Sequence, residues 1–149
     1  MSSWHQLGVD TVVSLLTADE EKDLDLECEA PAVRQSKMTF VSFPIVDRSV
    51  PESRLALVRL VAHLSADLTQ GRNIVIHCRQ GIGRAALVAA SVLINQGLEV
   101  EPALLAISKA RGVTVPETPE QHAFLLQISE ELGAAATTGG SDVHVGPPR

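Results

Sequence analysis

Residues 73–95, NIVIHCRQGIGRAALVAASVLIN, restrict the fold more than any other part of the chain. A short β-branched apolar run has the length of a buried strand, and the residues after Arg84 are apolar nearly all round, as in a central helix. Between them lies a short turn that contains two glycines. A strand that feeds through a tight turn into a buried helix is the repeating unit of a parallel sheet covered by helices. Other segments follow the same alternation. DTVVSLL reads as a strand, and TADEEKDLDLEC brings a capping residue and acids suited to a helix start. MTFVSFPIV alternates like a strand and ends at Pro44. In DRSVPESRLALVRLVAHLSADLTQG a loop leads into a helix, with Pro51 and Glu52 in its first turn and Gly71 after its end. Leu57, Val61, Leu64 and Leu68 form the predicted apolar face of that helix. EPALLAISKARG and TPEQHAFLLQISEELG predict two more helices. The predicted fold is therefore α/β: a mostly parallel central sheet flanked by helices on both faces, in one domain over residues 1–133. Residues 134–149 are small, polar and Gly/Pro-rich, which predicts a flexible C-terminal tail.

In open α/β sheets ligands bind at the carboxyl ends of strands, and Cys78 stands at such an end. The glycines of RQGIG let successive N–H groups turn toward one centre beside the positive end of the following helix, which makes an anion cradle. The same field favours the thiolate form of a cysteine. Arg84, on the first helical turn, has the planar fork needed to hold two oxygens of a tetrahedral anion. A cysteine and an arginine at this spacing also arise by chance. His77 before the cysteine, two glycines in the loop, an apolar strand before it and a buried helix after it make chance a poor explanation.

Composition narrows the function. The 149 residues are 45% hydrophobic, and no apolar run approaches a membrane span. The net charge of −6 argues against general affinity for nucleic acid or anionic lipid, so an anion site must be local. Two cysteines, Cys28 and Cys78, do not make a disulfide framework, and a cytoplasmic location is expected. Cys28 reads as a buried structural thiol. No metal-ligand spacing occurs.

HCRQGIGR resembles the signature loop of the cysteine-dependent protein tyrosine phosphatases, His-Cys, five residues, Arg. The chain from about residue 8 to about residue 132 looks like their small dual-specificity branch. The resemblance implies a phosphomonoester hydrolase that needs no metal or cofactor and takes a phosphorylated protein as substrate. Cys78 would be the nucleophile. Arg79, Gln80, Gly81, Ile82, Gly83 and Arg84 would bind the phosphate, with His77 orienting the loop. Asp47, in FPIVDRSVP, stands where the family carries its general acid, and the same carboxylate would take a proton from water in the second half-reaction. Gln121 resembles a glutamine that positions this water. The larger tyrosine-specific members use a tyrosine to stack on phosphotyrosine; this chain has no tyrosine, which implies a shallower cleft.

Two positions depart from the family pattern. Ala85 follows the signature arginine where Ser or Thr is usual, which keeps a phosphate-binding pseudophosphatase open as an alternative. The family also has a strand before the segment corresponding to LGVDTVVSLL. Inositol-lipid phosphatases tend to carry basic residues at two variable loop positions, and Ile82 fills the second. That activity, or one of the arsenate reductase or rhodanese type, is a lesser alternative.

Overall fold

The four residues TVVS form β1 (Thr11–Ser14), and all four are buried, so this strand needs partners on both edges and cover on both faces. β2 (Thr39–Ser42) and β3 (Ile74–His77) pair with it in parallel, in the order β2-β1-β3. The structure is a computed structural model that describes residues 6–79 and 82–145, with side chains described through residue 134. In register, Val12 lies beside Phe40 and Val75, and Val13 beside Val41 and Ile76. Alternation along β1 thus divides the core. Val12 packs with Val33 and Met38 on one face, and Val13 joins the larger cluster on the other.

Six helices cover the sheet among the described residues. α1 (Ala18–Asp23) starts at a capping box between Thr17 and Glu20. α2 (Glu29–Gln35), which the sequence pattern did not predict, carries Pro31 in its first turn, where a missing N–H costs little. α3 (Arg54–Thr69) is capped by the Ser53 hydroxyl, which accepts from Ala56 N at 3.1 Å, so Pro51 and Glu52 precede the helix instead of entering it. Its buried face takes in Leu60 along with Leu57, Val61 and Leu64, whereas Leu68, placed on that face by periodicity, is 39% exposed.

α4 (Arg84–Asn95) is buried along almost its whole length and packs against α3, α5 (Val100–Arg111) and α6 (Pro119–Val145). β3 is only partly buried, being an edge strand of the described sheet, and not a fully buried one. α5 ends at Gly112, whose φ of 75° is the left-handed cap that glycine accepts without strain. α6 brings Phe124, Leu125, Ile128 and Leu132 to the core. Its backbone continues to Val145, over most of the stretch expected as a flexible tail; the alanines at 134–136 favour that continuation. Residues 146–149 lie outside the described residues. No helix among the described residues is long and apolar enough to cross a membrane.

Candidate active site

Cys78 comes one residue after β3 begins to release the chain at His77, and Arg84 opens α4. The 78–84 segment therefore runs from the carboxyl end of a parallel strand to a helix N-terminus. Gly83 is the N-cap residue. A Cβ there would fall 2.8 Å from Glu117 Oε1 and 3.1 Å from Gln121 Oε1, so close approach of the 117–121 segment requires glycine. Gln80 and Gly81 lie outside the described residues, and Arg79 is exposed.

A cleft of about 140 Å³ opens at this loop. Cys78, Ile82, Gly83 and Arg84 line it from the loop; Asp47, Arg48 and Glu117 line it from two other segments. The residues that the sequence marks as nucleophile, clamp and acid thus meet in one place.

Arg84 is 2% exposed, and its guanidinium is held from behind. Nη1 donates to Glu20 Oε1 at 2.7 Å and Nη2 to Glu20 Oε2 at 2.8 Å, a two-point pair. Nη1 also donates to the Ile45 carbonyl at 2.8 Å. Because the guanidinium is planar, an end-on pair with Glu20 leaves the side-on edge of Nε and Nη2 as its second fork. There Nη2 lies 3.2 Å from Asp47 Oδ1. Burial opposes the charge on Arg84, but Glu20, then Cys78 and Asp47, raise its pKa. The hydrogen bonds from Arg84 outweigh burial at Glu20 and hold its carboxyl at about 2.

Sequence reasoning missed Glu20 as a site residue. Its only signal was the capping-box pattern TADE, which places Glu20 at the start of α1 and says nothing of Arg84.

Asp47 sits in a turn closed by Ser49 N donating to the Val46 carbonyl at 2.9 Å, with its side chain 56% exposed. Arg48 next to it has φ 61°, left-handed for a non-glycine residue. Its Nη1 pairs with Glu117 Oε2 at 3.2 Å, joining the Asp47 turn to the segment before α6.

Gln121 is fully buried, and its amide is already engaged. Oε1 accepts from Glu117 N and Thr118 N, each at 3.2 Å, and Nε2 donates to the Ser49 carbonyl at 3.0 Å. It does not line the cleft. His77 Nε2 lies 2.7 Å from Glu29 Oε2, close enough for an ion pair and off-line for a hydrogen bond, so a carboxylate on α2 is a partner of this ring. Cys28, the residue before α2, is exposed, contrary to the expected burial, although its neighbour Glu29 is buried.

Residues 2–98 match the family described as "Polymorphic toxin system, DSP-PTPase phosphatase", a range that takes in Asp47, Cys78 and Arg84. The chain belongs to this family. Among relatives of this DSP-PTPase chain, the protein named "Putative tyrosine phosphatase 197R" of Invertebrate iridescent virus 6 is 29% identical over 123 residues. That alignment covers 80% of the chain and 42% of the viral protein. Cyclin-dependent kinase inhibitor 3 of Homo sapiens is 29% identical over 93 residues, 61% of the chain and 43% of the human protein. The chain thus spans less than half the length of these curated relatives. In fold, the DSP-PTPase chain is similar to a crystal structure of kinase associated phosphatase (KAP) whose catalytic-site cysteine is substituted by serine. The TM-score is 0.82 at 22% identity, over 89% of this chain and 75% of that one. Tk-PTP in its active form gives 0.73 at 24% identity, over 87% and 85%. The three-stranded parallel sheet and its six helices are therefore those of a small dual-specificity phosphatase fold.

Proposed function

We propose that this chain hydrolyses phosphomonoesters, with phosphotyrosine in proteins as the first substrate class and phosphoserine and phosphothreonine as further ones. The observation that carries the reading is that Cys78 and Arg84, on one loop, and Asp47, from a separate earlier segment, converge on one cleft. Cys78 Sγ attacks phosphorus, and the bond to the leaving oxygen breaks as Asp47 gives that oxygen its proton. The side-on fork of Arg84 and the loop amides hold the phosphoryl oxygens through the transition state. Water then attacks phosphorus, Sγ leaves as thiolate, and inorganic phosphate is released. His77 and Gln121 act as positioning residues, His77 for the loop and Gln121 for the Asp47 turn. Asp47, left as a carboxylate by the first step, takes a proton from the attacking water in the second.

A binding module without turnover is the second reading, favoured by Ala85, which offers the departing sulfur no hydroxyl. Cys78→Ser separates the two. It should abolish hydrolysis of an aryl phosphate while tungstate still binds within a few-fold of the parent affinity, because the cradle is backbone and Arg84. A parent protein that binds tungstate and performs one turnover or none supports the binding module. A Cys78→Ser protein that keeps the parent rate removes the cysteine mechanism.

A further inference from the structure

The acid of the proposed reaction has to stay over the phosphate site while the contact that places it there is given up. Asp47 Oδ1 lies 3.2 Å from Arg84 Nη2, on the fork that a phosphoryl group would occupy. Once it carries its proton the carboxyl is also neutral and has no charge to offer the guanidinium. More than half of the side chain is exposed, so packing does not fix it either. On the near side the segment is anchored by Arg84 Nη1, which donates to the Ile45 carbonyl at 2.8 Å. The far side begins at Arg48. Adjacent side chains of an extended chain point to opposite sides, yet Asp47 and Arg48 both line the cleft. The left-handed φ of 61° at Arg48 bends the chain there, a conformation that a non-glycine residue keeps where its surroundings impose it. Arg48 Nη1 pairs with Glu117 Oε2 at 3.2 Å, and the Ser49 carbonyl accepts from Gln121 Nε2 at 3.0 Å. Glu117 is in turn seated on the phosphate loop, since a Cβ at Gly83 would fall 2.8 Å from its Oε1 and 3.0 Å from its Cβ. Contacts running from Arg48 through Glu117 to Gly83 thus set the position of the acid against the residue next to Arg84.

We propose that Arg48 and Glu117 form a latch that keeps Asp47 over the phosphate site once substrate has taken its place on Arg84, a role that rests on the phosphatase reading above. Arg48 is the positioning residue for the acid, and Glu117 is its seat on the loop. Neither exchanges a proton with the substrate. Opening the latch therefore acts on protonation of the leaving oxygen and leaves the cradle that binds the phosphoryl group in place.

The test is a double-mutant cycle of Arg48→Gln, Glu117→Gln and the two together. It is read as kcat/KM for a phosphotyrosine peptide and for para-nitrophenyl phosphate, with tungstate affinity measured alongside. Each single variant should lose about ten- to a hundredfold on the peptide, the scale of a misplaced catalytic group. On para-nitrophenyl phosphate, whose leaving group needs little protonation, the loss should be at most about threefold. Tungstate should bind no more than about twofold more weakly than to the parent, because the loop amides and Arg84 are untouched. The double variant should lose no more than the worse single variant, since the second substitution finds the latch already open. Losses that multiply in the double variant overturn the proposal, as does a loss below about threefold on the peptide in both single variants. So does an equal loss on both substrates, or a matching loss of tungstate affinity, which would make Arg48 an attractor of anions. Asp47→Asn tests the reading beneath: if it does not separate the two substrates, Asp47 is not the acid, and the assignment of the acid falls before that of the latch.

Discussion

Burying a guanidinium costs several kcal/mol unless an opposite charge and hydrogen bonds meet it. At Arg84 the cost is met by Glu20, whose two oxygens take the end-on fork and leave the side-on fork to the cleft. The edge that the fold engages is thus distinct from the edge turned to the cleft, and its contribution to stability can be measured on its own. Glu20 has its pKa lowered from 4.5 to about 2. A carboxylate held low in the folded state contributes its full stabilisation above its ordinary range and loses it as pH falls toward 2; here the contribution is about 3 kcal/mol. Urea unfolding of the parent and of Glu20→Gln, between pH 7 and pH 2, should show a stability gap that narrows by about that amount as the pH falls. A gap that stays constant would mean that Glu20 gains nothing from Arg84 beyond what glutamine provides.

At the scale of elements, the site is assembled by two helix starts that share one device. Thr17 and Glu20 form a capping box at α1, and Thr118 and Gln121 exchange the same pair of hydrogen bonds at α6. In each, the residue at the third helical position also reaches across the fold, Glu20 to Arg84 and Gln121 to the Ser49 carbonyl. Both patterns, TADE and TPEQ, are legible as helix starts; their second partners are not, because those lie 64 and 72 residues away. For the same reason the loop with Cys78 and Arg84 could be read directly, all its parts being local, as could the strand-helix alternation and the bounds of α4. Leu60 and Leu68 changed places on α3 because periodicity gives a face and not the neighbour that covers it. Gln121→Leu should leave two amides and one carbonyl without their buried partner and cost about 1–3 kcal/mol. Because the Ser49 tie also steadies the Asp47 turn, turnover of a phosphotyrosine peptide should fall more than that of an activated aryl phosphate. An equal fall on both substrates would show that the tie matters to folding alone.

For the whole molecule, the order β2-β1-β3 puts the first strand of the described sheet at its centre. Two sets of partners, in the neighbouring strands and in the helices on either face, must arrive before β1 is enclosed. Its second edge is filled by residues 74–77, and the cluster that Val13 joins is completed by Ile128 and Leu132 on α6. The fold is therefore ordered in time as well as in space. On the ribosome, where synthesis runs at roughly 5–20 residues per second, several seconds separate the emergence of His77 from that of Leu132. During that interval the strand and loop that carry Cys78 exist without the helix that closes the core behind them. Nascent chains stalled at successive lengths should remain protease-sensitive until α6 has cleared the exit tunnel through Leu132, then become resistant in one step. Resistance already present in chains ending before residue 119 would show that the sheet and its first five helices form a stable unit without α6. In the cell, the interval is a window in which a chaperone or protease meets Cys78 before the core behind it is closed.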